Sequence, residues 1–121
     1  MRLTKDQLHM LRHMLGINTP EDRTPRPYRN YAAVNPGDAF FLELEQIGAV
    51  EKCHGVPLGQ YECYRCTGKG RQAAMKSHKD IRLPRSKRRY KKFLSILDCV
   101  PDITFHDFLT DPEYKELRKG V

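Results

Sequence analysis

Cys63-x-x-Cys66 has metal-ligand spacing, and Cys53-His54 stands upstream of it. A tetrahedral metal site needs four nitrogen or sulfur donors that converge. Cys53 and Cys63 can face each other across a hairpin. Cys63 and Cys66, however, differ by an odd number of positions in a strand-like run, so they point to opposite faces. Cys53, Cys63 and Cys66 are therefore read as structural thiols, with a zinc-stabilised interaction module as the third alternative and no metal site assigned. A redox Cys-x-x-Cys wants a strand leading into a helix start at its first cysteine, and none is placed there. Cys99 ends an apolar helical stretch and reads as packing. His9 and His13 stand four apart, a spacing that can chelate, and read as exposed helix histidines; His54, His78 and His106 are scattered. Glu43 and Glu45, two apart, cannot face each other on a helix, so they make no general acid/base pair. Gly68-Lys-Gly70 is too short for a nucleotide cradle and reads as a turn. No catalytic residue, cofactor or small-molecule substrate is assigned, and a non-enzymatic protein is expected.

The basic side chains have the stronger claim. The 121 residues include 22 Lys and Arg against 15 Asp and Glu, a formal net charge of +7. Residues 1–97 hold 19 basic and 9 acidic side chains, whereas 98–121 hold 3 and 6. The densest run is Arg82, Arg85, Lys87, Arg88, Arg89, Lys91 and Lys92, with no acid among them and with Tyr90 and Phe93 interleaved. Such a row can neutralise phosphates. Lys52, His54, Arg65, Lys69 and Arg71 form a second basic set around the expected hairpin. Tyr28, Arg29 and Tyr31 make a smaller patch of the composition found at protein interfaces. No apolar run approaches the ~20 residues of a membrane span. The first residues lack the apolar stretch of a secretory signal, and four cysteines fit a reducing compartment. A cytoplasmic protein without a membrane partner is expected.

The elements that must position these groups are well punctuated. Thr4 and Gln7 have capping-box spacing, Leu8, Leu11, Met14 and Leu15 follow, and Gly16 supplies a stop, which predicts a helix over 5–15. Residues 17–27, with Pro20, Pro25 and Pro27, read as an exposed loop. Tyr28–Val34 reads as a short strand or an extended packing segment. Asp38 is a good N-cap for a helix carrying Phe41, Leu44 and Ile47 and ending at Gly48. Ala49–Cys53 and Gln60–Cys66 read as a hairpin with 54–59 as the connector. A further helix is expected from Gly68 to about Lys79. Beyond Pro84, Tyr90, Phe93, Leu94 and Leu97 make an apolar stripe, with Lys87, Arg88, Lys91 and Lys92 mostly opposite. Thr104 can cap a short turn bearing Phe105, Phe108 and Leu109, and Asp111-Pro112 opens a final helix.

This order, with Leu44-Glu-Gln-Ile-Gly-Ala-Val-Glu-Lys52 and Tyr64-Arg-Cys-Thr-Gly-Lys-Gly-Arg-Gln-Ala-Ala74, resembles winged-helix domains of the antibiotic-resistance-regulator type. The first motif is similar to their helix end, Gly and opening wing strand. The second is similar to their closing strand and Thr-x-x-Gly turn into the next helix. Physically, Gly48 lets the chain reverse, Thr67 can cap the helix and Gly70 permits close packing. Leu3-Thr-x-x-Gln-Leu-x-x-Leu-Arg-His-Met-Leu-Gly-Ile17 with Tyr28-Arg-Asn also resembles small phage and prophage proteins of unknown function. The resemblance implies an α+β fold: a winged-helix-like domain at 1–80 with a helical extension, basic then acidic, at 81–121.

One departure bears on function. The helix before the hairpin, where such regulators read the groove, is expected to expose Asp38, Glu43 and Glu45 and carries no Lys or Arg. Carboxylates facing phosphates repel. The leading expectation is therefore a small phage-type regulatory protein that contacts nucleic-acid backbone through Arg82–Lys92 and the wing base. The alternative is a protein-binding inhibitor of a host nucleic-acid-processing or defence complex, anti-CRISPR-like, with the acidic helix mimicking DNA.

Overall fold

The first helix is closed at its start by two side chains and at its end by a glycine, as the sequence places them. The Thr4 hydroxyl accepts from the Gln7 amide (3.1 Å), and the Gln7 side chain accepts from the Thr4 amide (2.9 Å). In the computed structural model, which describes residues 2–54, 59–97 and 99–119, this helix, α1, spans Lys5–Leu15 and stops at Gly16 in the left-handed region (φ 75°). Four carbonyls at a helix C-terminus lack intrahelical partners. The Gly16 and Ile17 amides return to His13 and Arg12, and the Tyr28 and Tyr31 amides donate to Leu15 and Met14. Ile17 is buried in the core, so the expected exposed loop over 17–27 begins one residue later than the prolines alone suggest.

β1 (Ala32–Val34) follows, then α2 (Ala39–Ile47), capped by the Asp38 carboxylate on the Phe41 amide (3.2 Å) and ended by Gly48. β2 (Val50–Lys52) and β3 (Glu62–Cys66) form the hairpin. Most of its expected connector, 55–58, lies outside the described residues. β1 pairs with the other side of β3, giving an antiparallel sheet in the order β1-β3-β2. Ala32 stands opposite Tyr64, and Lys52 stands opposite Tyr64 from the other side. α3 (Gly68–Ile81) closes the unit. Leu11, Met14 and Leu15 of α1, Phe41 and Leu44 of α2, Val50, Tyr64 and Cys66 of the sheet, and Ala74 of α3 share one core.

A single junction ties α2, the hairpin and α3 together. The Thr67 amide donates to the Ala49 carbonyl (3.0 Å), and the Thr67 hydroxyl donates to the Gly48 carbonyl (2.6 Å). The same hydroxyl accepts from the Gly70 amide (3.1 Å), which caps α3. A Cβ on Gly70 would lie 2.0 Å from the Ala49 carbonyl oxygen. Only glycine admits that approach.

The remaining helices are α4 (Arg85–Ile96), α5 (Phe105–Thr110) and α6 (Lys115–Arg118), the last preceded by a 3₁₀ turn at Pro112–Tyr114. Thr104 and Asp107 cap α5 reciprocally. Asp111 accepts from the Glu113 amide, so the expected final helix opens as a 3₁₀ turn. Phe93, Ile103 and Phe108 form a second core, with Ile96, Leu97, Val100, Phe105, Leu109 and Tyr114 around it. Among the described residues the protein is thus α+β, six α-helices and one three-stranded antiparallel sheet. Its chain separates into two compact units. One comprises the chain up to Asn18 with Arg26–Asp80; the other comprises Thr19–Pro25 with the chain from Ile81 on. Within the second, the Leu83 amide donates to the Pro20 carbonyl (3.0 Å) and Lys91 pairs with Glu21 (3.2 Å).

Candidate nucleic-acid interface

α4 carries most of the expected contacts, but its orientation differs from the expected one. Arg88 is only 7% exposed, whereas Tyr90 is 49% and Leu94 45% exposed. The inward stripe is Arg88 and Phe93 with Arg89, Lys92, Ile96 and Leu97 half-buried. Phe93 sets this rotation, its ring lying 5.4 Å from Phe105 and 6.0 Å from Phe108. Long Arg and Lys stems can be buried with their heads placed elsewhere, so a count of apolar residues alone points the helix the wrong way. The Arg88 head group donates through Nη1 to the Leu83 carbonyl (2.6 Å). Arg88 is therefore withdrawn from the surface it was expected to line.

The outward stripe is Lys87, Tyr90, Lys91 and Leu94, at i, i+3, i+4 and i+7, which places them along one line of the helix surface. Tyr90 rests edge-on against Phe105 (5.3 Å, 81°), which holds the ring while leaving half of it open. Arg82, Arg85 and Lys87 are exposed. Lys91 is engaged by Glu21, an exposed pair worth at most about 1 kcal/mol and easily exchanged for a phosphate.

The hairpin is less basic in three dimensions than in sequence. Arg65 stands opposite Glu51 and pairs with it (2.8 Å), and Lys52 pairs with Glu62 (3.8 Å). Lys69 and Arg71 are exposed on the first turn of α3, and His54 is exposed. Lys69 also borders a groove of about 470 Å³ with Ile47, Gln72, Ala73 and Lys76. The i, i+3, i+7 spacing of Lys69, Gln72 and Lys76 is visible in the sequence, although the basic run at 82–92 is denser.

The acidic face of α2 is smaller than expected. Asp38 is half-buried with its carboxylate spent on the cap, and Glu45 is half-buried near Tyr64, whose phenol is pushed upward by burial and then by the Glu45 charge. Glu43 alone of the three is exposed. The Tyr28 patch has a structural task as well. Tyr28 lies over Gly16, Arg29 sits 5.4 Å above the Tyr28 ring, and its guanidinium donates to the His13 carbonyl (2.6 Å). Tyr28 remains 74% exposed and Tyr31 is also exposed.

The cysteines are all free thiols. Cys63 and Cys66 are both buried on opposite faces of β3, so they do not chelate one ion. Cys53 meets Cys63 across the hairpin, its amide donating to the Cys63 carbonyl (2.8 Å). Among the described residues no three His, Cys, Asp or Glu side chains converge as metal ligands. Burial, followed by the hydrogen bond to Cys53, pushes the Cys63 thiol up to about 11; burial also pushes Cys66 up to about 11, with Arg71 acting weakly the other way.

An unfolded thiol ionises near 9, so the folded state holds these protons longer. Stability is complete below pH 9 and is lost as pH rises toward 11. For Cys66 alone the loss is on the order of 2 kcal/mol. The urea midpoint is expected to fall between pH 7.5 and pH 10.5, and Cys66→Ala is expected to flatten that fall while lowering the midpoint at pH 7.5.

Among the described residues no helix is long and apolar enough to cross a membrane. Comparison with protein-family models, curated proteins and solved structures finds no match.

Proposed function

We propose that this is a non-enzymatic, phage-type regulatory protein that binds nucleic-acid backbone through the outer face of α4 and the first turns of α3. The observation that carries this reading is the stripe Lys87, Tyr90, Lys91 and Leu94, held outward by the Phe93 anchor. Two cations flank an open aromatic ring, a combination that pairs with phosphates and stacks on a base. The winged-helix-like reading of the first unit draws support from its element order and from the β1-β3-β2 sheet. Groove reading is not part of the proposal. Among the described residues β1 lies between α1 and α2, so no two helices joined by a short turn precede the hairpin, and α2 bears no cation.

Fluorescence anisotropy with labelled single-stranded and duplex oligonucleotides over 50 to 200 mM salt tests this. Lys87→Ala and Lys91→Ala are each expected to reduce the salt slope by about one unit. Tyr90→Ala is expected to weaken single-stranded binding by about 1 kcal/mol, roughly fivefold, with little effect on duplex. Lys52→Ala, which removes a cation of β2 that belongs to neither α4 nor α3, is the control. Absence of binding at 50 mM salt, or slopes unchanged in both lysine variants, rejects the proposal.

A further inference from the structure

One side of α4 is rich in guanidinium groups. Arg85, Arg88 and Arg89 lie at i, i+3 and i+4, so they share a helix surface. α6, which carries Arg118, packs against α4, and the Arg118 charge, like those of Arg85 and Arg88, acts on Arg89. Arg118 is held in place, its Nη1 donating to the Asp111 carbonyl (2.8 Å) and to the Phe108 carbonyl. Burial grades from exposed Arg85 through half-buried Arg89 to Arg88, which is fully withdrawn.

Two donors in this cluster are shut off from solvent and donate to nothing among the described residues: Nε of Arg88 and Nε of Arg89. Nη1 of Arg88 is spent on Leu83, whereas its Nε is left without a partner. Arg89 has neither a hydrogen bond nor an ion pair there, and the charges that act on it are all positive. An unsatisfied buried donor costs about 1–3 kcal/mol, and more when it is charged. Buried cations are ordinarily paired. The fold instead buries Arg88 and half-buries Arg89 with the Nε of each unpaired among the described residues, which suits a site whose acceptor comes from outside.

The acceptor must be anionic and small, and it must offer several oxygens to planar donor forks approaching from two helices. A phosphate group meets these demands, and arginine matches it bidentately. We propose that Arg85, Arg88, Arg89 and Arg118 form a binding site for one phosphate group, either free phosphate or the monoester end of a nucleotide. Arg85 is its most exposed member and Arg88 its most buried. The site uses side chains other than Lys87 and Lys91 and does not depend on the backbone contacts proposed for them.

Thermal unfolding and isothermal titration of the full chain, with ionic strength held constant by sodium chloride, test this. Inorganic phosphate is expected to raise the melting temperature saturably and to bind at one equivalent, where chloride does neither. Adenosine monophosphate, with adenosine as control, separates the two sources. Tighter binding than phosphate assigns the site to a nucleotide end, and equal binding assigns it to the free ion. Arg89→Met is expected to weaken phosphate by at least about tenfold without lowering the melting temperature in chloride, because it removes an unpaired charge. Arg85→Met, at an exposed position with no risk to folding, is expected to weaken phosphate by about threefold. A Lys87→Ala, Lys91→Ala double variant is expected to keep the full phosphate effect, which separates this site from the nucleic-acid face. The proposal is overturned by the absence of saturable binding of either probe. It is equally overturned by binding that Arg85→Met and Arg89→Met leave intact, or by a loss of stability in chloride on Arg89→Met, which would reveal a protein partner already in place.

Discussion

Gly70→Ala is expected to destabilise the first unit by on the order of 3–4 kcal/mol, a large share of the 5–15 kcal/mol that holds an ordinary domain. The added methyl would sit 2.0 Å from the Ala49 carbonyl oxygen and 2.9 Å from its carbon. Both are backbone atoms, so no side chain can swing aside. α3 would have to lift away from the start of β2. That movement pulls apart the Thr67 amide bond to Ala49, the Thr67 hydroxyl bond to Gly48 and the Gly70 amide bond to Thr67. Each is worth about 1 kcal/mol. Gly68→Ala is the matched control: it lies two residues earlier on the same helix, with nothing within 4 Å of the added Cβ. It is expected to be neutral or slightly stabilising, since alanine is the better helix former. Urea unfolding followed by circular dichroism distinguishes the two. A Gly70→Ala midpoint equal to that of Gly68→Ala would show that the junction yields easily and does not hold the unit together.

Phe108→Ala is expected to cost about 3–5 kcal/mol, and the second unit is expected to lose its fixed structure. Phe108 is fully buried. Its ring meets Phe93 (6.0 Å), Phe105 (6.4 Å) and Tyr114 (6.3 Å), so one truncation removes the centre of a small aromatic core. That core has three buried apolar members and little else to absorb the loss. Hydrogen exchange is expected to show lost protection in α4 and α5 with β3 still protected, because the first unit has a core of its own. The outward stripe of Lys87, Tyr90, Lys91 and Leu94 exists only while Phe93 fixes the rotation of α4. The same variant is therefore expected to lose part of its salt-dependent nucleic-acid affinity, although it alters no charge. Retained protection in α4 would place the organising contact elsewhere.

The elements that could be read from the sequence are those set by short-range chemistry. Thr4 with Gln7 and Gly16 bracket α1, Asp38 and Gly48 bracket α2, and Thr104 opens α5, because a cap acts on amides within one turn of it. The hairpin was legible from two apolar runs around a turn-rich connector. The Thr67 and Gly70 roles were legible because a hydroxyl cap and a missing Cβ are properties of single residues. What escaped depended on partners distant in sequence. Ile17 follows a helix stop and precedes a proline-rich segment, yet the core formed by α1, α2 and the sheet takes it in. Lys52 and Arg65 look like free wing cations until strand pairing brings Glu62 and Glu51 within reach.

The sequence by itself determined the order and the ends of most elements, the uneven charge and the lack of cations on α2. All of these follow from local hydrogen bonding and composition. Only the tertiary structure decided which side of α4 faces outward. Apolar periodicity favoured burying Tyr90 and Leu94, but Phe93 packs against Phe105 and Phe108, and that contact turns Arg88 and Arg89 inward toward Arg118. A guanidinium on a long apolar stem is compatible with either side, so only the packing of one helix on another settles where its charge is spent.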